Sequence, residues 1–160
     1  MLTLEQKQTL KAAIQAETNA TFVGYRNNGD TSAMADWLNK SAPGPVKAWR
    51  NDVSNAELVE ATVENLALYD GLTPGKRDAW QMFLTAAPID MTRNKYRAAP
   101  GKVWAPTQRD NILADPGTRN ATRAEVMLGG TDVTEGGVTA KKMNWYGELS
   151  YTDIIDILAV

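Results

Sequence analysis

Prolines and glycines cut this chain into short pieces. Pro43-Gly44-Pro45, Pro88, Pro100-Gly101, Pro116-Gly117, Gly129-Gly130 and Gly136-Gly137 interrupt every region beyond the first forty residues. Proline lacks the backbone donor and clashes with the preceding turn, and glycine commonly closes a helix C-terminus. The helices between them must therefore be short. A short helix is marginal alone and holds only by burying an apolar face.

Most pieces carry a start signal. Thr3 and Gln6 form a capping box, followed by Leu10, Ala13 and Ile14 on one face. The stretch 18–30, TNATFVGYRNNGD, is rich in Asn and Gly and is expected to break the helix, with Phe22, Val23 and Tyr25 packed on the core. Asp30 or Thr31 caps a helix bearing Met34, Trp37 and Leu38. VKAWR, 46–50, predicts a short strand or extended arm. Ser54 and Glu57 make a second capping box, opening a helix that carries Leu58, Val59, Val63 and Leu66. Thr73-Pro74 starts the next, where Ala79, Trp80, Phe83, Leu84 and Ala87 form the clearest apolar stripe, expected as core. Asp90 is expected to cap a helix that stops at Pro100-Gly101. Short helices are also expected around Ile112 and Leu113 and from about Asn120 to Leu128.

Residues 129–142, GGTDVTEGGVTAKK, have no helical period and predict a flexible loop or hairpin. Met143, Trp145, Gly147 and Leu149 then alternate with polar partners, which predicts a strand. Ser150 and Asp153 cap a last helix with Ile154, Ile155 and Leu158. The expected fold is mainly α: six or seven short helices and a small β element near the C-terminus, in a single domain over 1–160. The strand plus short helix of 143–160 is a candidate assembly arm. Its apolar residues need a partner surface, either this domain or a neighbouring subunit.

The chain has no cysteine and no histidine. Disulfides, Cys/His zinc sites and His-based triads are excluded. Asp132 and Glu135 lack the further oxygen donors a calcium site needs, and Asp153/Asp156 and Glu57/Glu60, one helical turn apart, have the spacing of acid–base pairs but are expected to be solvated faces. The glycine pairs lack the spacing of a phosphate loop. No catalytic residue, cofactor or metal is expected, and the chain is expected not to be an enzyme.

The formal charge of −2 offers no electrostatic ground for nucleic-acid binding. A basic segment nevertheless runs through Lys76, Arg77, Arg93, Lys95, Arg97 and Lys102 to Arg109, Arg119 and Arg123, with Tyr96 and Trp104 interleaved. It is expected to be a solvated face or one matching an acidic partner protein. Arg77, Arg93, Lys95, Arg97 and Lys102 are its candidates. Tryptophan is enriched at interface hot spots, so Trp49 and Trp145 are contact candidates, together with Tyr146, Leu149, Tyr151, Ile154, Ile155 and Leu158. The first ten residues lack a basic region followed by an apolar one, so no secretory leader is expected. No apolar run is long enough to span a membrane.

Four segments, in order, resemble a family of small virion structural proteins of tailed bacteriophages, encoded among head and tail genes. They are LTLEQKQTLKAAI; the short helix, Pro-rich turn and V-x-x-W-R-x-x-V of Val46, Trp49, Arg50 and Val53; LTPGKRDAWQMFLTAAPIDMTRNKYRA; and ATRAEVMLGGT followed by YGELSYTDI. The chain departs from the family pattern where Pro100-Gly101 interrupts a helix and where Tyr146-Gly147-Glu148 replaces an aromatic-Glu-Gly order. The resemblance implies a non-enzymatic virion component, made in the host bacterial cytoplasm. Its expected place is the head–tail junction (neck, connector or adaptor) or elsewhere in the tail, touching portal, neck or tail subunits as a homo-oligomeric ring. Capsid decoration, tail-fibre attachment and a DNA-contacting role are the alternatives.

Overall fold

The computed structural model describes residues 1–86 and 88–160, so Ala87 of the expected stripe lies outside the described residues. Among these, ten helices and four strands follow in the order α1 (Leu4–Ala16), α2 (Ala20–Asn27), α3 (Thr31–Asn39), β1 (Lys47–Trp49), α4 (Asn55–Val63), α5 (Leu66–Asp70), α6 (Pro74–Thr85), α7 (Asn94–Val103), α8 (Pro106–Ala114), β2 (Thr118–Asn120), α9 (Arg123–Leu128), β3 (Gly130–Glu135), β4 (Val138–Met143) and α10 (Tyr151–Ala159). The strands form one sheet in the order β2-β1-β4-β3, with β1 parallel to β4 at Ala48 opposite Lys141. This is an α+β fold. It replaces the expected mainly α fold of six or seven helices with one small β element.

The additional elements have local causes. Asn19 does not break the chain: its side chain accepts from the amides of Thr21 and Phe22 and starts α2. Pro100 does not end α7, which continues to Val103 despite the missing donor. Thr122 and Glu125 make a capping box for α9, so that helix starts later than Asn120, which closes β2. The Gly- and Thr-rich stretch folds as the β3–β4 hairpin around Gly136-Gly137. The strand expected over 143–149 ends at Met143 instead. Beyond it, the Tyr146 hydroxyl accepts from the Met143 amide at 2.9 Å, and Gly147 takes φ +155° beneath the Trp145 ring. The alternation there reflects side chains docked one by one.

The chain gathers into two compact units. The first holds Met1–Val46, Asn120–Thr131 and Met143–Val160; the second holds Lys47–Arg119 and Asp132–Lys142. The core of the first draws Leu10, Ile14, Phe22, Leu38, Ile154 and Ile157, all fully buried, from α1, α2, α3 and α10. The second is aromatic. Trp49 and Trp80 are fully buried with Leu58, Ile89, Met91, Ile112 and Leu113, and Trp104 meets Trp80 edge-on at 5.4 Å. Indole N–H groups need partners when buried. Trp80 Nε1 donates to Thr62 Oγ1 at 2.9 Å, which donates to the Leu58 carbonyl at 2.8 Å, and Trp49 Nε1 donates to the Val133 carbonyl at 3.0 Å. Phe83 and Leu84 of the expected stripe are half-buried against this core.

Candidate interaction surfaces

The C-terminal segment is tied into the first unit. Asn39 clasps the Leu149 backbone, donating from Nδ2 to its carbonyl and accepting its amide at Oδ1, both at 2.8 Å. Ser150 and Asp153 cap α10 reciprocally, and hydrogen bonds from the Ser150 hydroxyl and amide hold the Asp153 carboxyl below its usual range. Lys7 pairs with Asp156 at 3.2 Å. Of the interface candidates, Leu149 and Ile154 are buried in this core, and Trp145, Tyr146 and Leu158 are half-buried. Only Tyr151 and Ile155, 58% and 50% exposed, point outward, one turn apart on α10. Trp49 sits inside the second unit. As contact residues, Trp49, Leu149 and Ile154 are corrected: their indole and aliphatic surface is already covered.

The basic segment separates into inside and outside. Arg97 is 5% exposed, donates to the Met91 carbonyl at 2.8 Å and lies 5.4 Å from the Trp49 ring, so it is a core residue and not part of a basic face. Its aliphatic stem and planar head pack where an ammonium would not. Arg93 pairs with Asp90 at 3.0 Å. Lys95 and Lys102 are exposed on α7, Lys95 with its ammonium 4.6 Å from the Tyr96 ring centroid, and Arg77 is half-exposed on α6.

Three concave regions accompany these residues. In the second unit, a cleft of about 550 Å³ between α4 and α8 is lined by Glu57, Glu60, Glu64 and Asp115 with Asn65, Gln108 and Asn111. Glu57 is occupied by Arg50, whose hydrogen bonds, with that of Ser54, hold its carboxyl down to about 2. Asp132 pairs with Lys141 at 2.9 Å. Among the described residues no group of three or more acids is placed to hold a metal ion. In the first unit, a cleft of about 300 Å³ is walled by Trp37, Pro43, Val46, Val126 and Met127, with Arg123 stacked 4.3 Å from the Trp37 ring and donating to the Trp37 carbonyl at 2.9 Å. In the second unit, an apolar groove of about 480 Å³ runs between α6 and α7 over Ala79, Met82, Phe83, Ala86, Tyr96 and Ala99, with Asp78 and Lys95 at its rims.

One exposed apolar surface has no counterpart among the contact residues expected from the sequence. Leu58 and Thr62 face the core from α4, while Val59 (41% exposed), Val63 (61%), Leu66 (52%) and Leu68 (55%) face out along α4 and α5. The sequence places Leu58, Val59, Val63 and Leu66 on one helical segment without separating the face that turns inward from the face that turns outward. The signal was the apolar content on both faces of the helix.

Comparison with protein-family models, with curated proteins and with solved structures gives no match to this chain.

Proposed function

We propose that this chain is a non-enzymatic structural component of a tailed-bacteriophage particle, acting through protein–protein contacts at the head–tail junction or elsewhere in the tail. The observation that carries the contact role is the outward-facing apolar surface of α4–α5 in the second unit. Four bulky apolar side chains exposed within residues 59–68 make this a candidate interaction site. The assignment to a phage particle rests on the four sequence segments that resemble virion structural proteins. Among the described residues no helix is long and apolar enough to cross a membrane.

The test is mass spectrometry of purified particles of the phage that encodes the chain, followed by labelled-antibody microscopy. Recovery in stoichiometric amounts with label at the neck or tail supports the proposal. Label over the capsid or fibres favours decoration or fibre attachment. Absence from particles contradicts it.

A further inference from the structure

We infer that copies of this chain associate with each other by seating the α4–α5 ridge of one copy in the α6–α7 groove of another. The inference deepens the contact role proposed above and rests on it. The ridge presents Val59, Val63, Leu66 and Leu68, bulky and 41–61% exposed. The groove offers what such a ridge fits: small residues (Ala79, Ala86, Ala99) lining it with Phe83 and Tyr96, and Met82, 73% exposed, among them. Flexible methionine adapts to an incoming apolar surface.

Charge selects a second copy as the occupant. Residues 55–70, which carry the ridge, contain Glu57, Glu60, Glu64 and Asp70 and no Lys or Arg. Helix α7, which forms one wall of the groove, contains Lys95, Arg97 and Lys102 and no acid. With Glu57 held by Arg50 and Arg97 buried, the groups free to face a partner are Glu60, Glu64 and Asp70 on the ridge and Lys95 and Lys102 beside the groove. Asp78 on the opposite rim is the one acid lining the groove. An apolar ridge with acidic flanks and an apolar groove with a basic wall are complementary, and one chain carries both. Repetition of such a contact closes into a ring or extends as a filament, depending on the rotation it imposes.

The test uses the full chain in three forms: wild type, a ridge-reversed variant (Glu60→Lys with Glu64→Lys) and a groove-reversed variant (Lys95→Glu with Lys102→Glu). All four positions are exposed, so the fold should persist, and circular dichroism verifies it. Light scattering after size exclusion should show wild type associating, more weakly as salt rises. Each variant alone should lose association by about tenfold or more, because like charges then meet across the contact. An equal mixture of the two variants should associate again, since the basic ridge of one fits the acidic groove of the other. Met82→Asp, in the groove alone, should also abolish association. The inference is overturned if wild type is monomeric at every soluble concentration, if the variants associate as wild type does, or if the mixture is no better than its parts. A chain found in particles but failing this test would remove the ridge–groove contact and leave the structural role standing. A chain that passes here but is absent from particles would do the reverse.

Discussion

The two units are built on opposite plans. The first is discontinuous: its core is assembled from both ends of the chain, largely aliphatic, and completed by Ile154 and Ile157 of the last helix. The second is nearly continuous, and three of the five tryptophans, Trp49, Trp80 and Trp104, fill it, with the indole N–H groups of Trp49 and Trp80 turned to specific partners. An aliphatic core is satisfied by any well-packed apolar neighbour, whereas buried indoles and a buried guanidinium specify which neighbour. The greasy end of the chain is therefore ordinary core for the first unit, and the surfaces with a distinctive charge and shape belong to the second.

Removing residues 151–160 should have the largest effect. It deletes two fully buried isoleucines and the Ser150–Asp153 cap. Each isoleucine is worth about 2–5 kcal/mol, so together they approach the whole stability of a typical domain. Circular dichroism should show loss of much of the helical signal, with aggregation. A truncated chain that keeps its helical signal and melts cooperatively would mean that α10 is dispensable to the first core.

Trp80→Ala should come next, at about 3–5 kcal/mol, and it also removes the hydrogen bond that the Thr62 hydroxyl accepts. Phe83→Ala, at a half-buried site, should cost clearly less. Chemical denaturation of the pair measures both, and equal losses would break the distinction between the floor of this core and its rim.

Gly136→Ala should be smaller, about 1–2 kcal/mol. Gly136 has φ +58°, and a Cβ there would collide with Arg109 and Asp110, displacing the carboxylate that accepts from the Gly137 amide at 3.1 Å. The midpoint of unfolding should fall with the slope unchanged.

The smallest effect is electrostatic. Glu57 titrates near 4.5 when unfolded and near 2 when folded, because Arg50 and Ser54 hydrogen-bond the carboxylate. A depressed folded value stabilises above the unfolded one and is lost as pH falls between the two. Glu57→Gln keeps the capping geometry and removes the charge. Since Glu57 is over a third exposed, the cost at pH 7 should be about 0.5–1 kcal/mol. Melting curves of variant and wild type should converge as pH drops from 4.5 toward 2. A gap that is constant with pH would exclude the ion pair as its source.

Local chemistry made the helix starts legible. The boxes at Thr3, Ser54 and Ser150 announce α1, α4 and α10, because a cap is satisfied within four residues, and Pro74 at the first helical position announces α6. Non-local choices were hidden. Which face of α4 turns inward depends on Trp80 meeting Thr62, eighteen residues away, and nothing near Val59 or Val63 reveals it. Arg97 reads as a surface cation until Trp49 and Met91 are known to surround it. The parallel pairing of β1 with β4 joins Ala48 to Lys141, too distant for any periodicity to signal. The ridge and the groove share this origin, since each is what remains outside once the second core has chosen its residues.

That two cores sit in one chain is tested most directly by amide hydrogen exchange on Leu38→Ala and Trp80→Ala, each deleting a fully buried side chain from a different core. Local stability is read segment by segment in such an experiment. Leu38→Ala should speed exchange in α1, α3, α9 and α10 while α6, α7 and α8 stay near wild type, and Trp80→Ala should do the opposite. Exchange that rises evenly along the whole chain in either variant would contradict the two-core account.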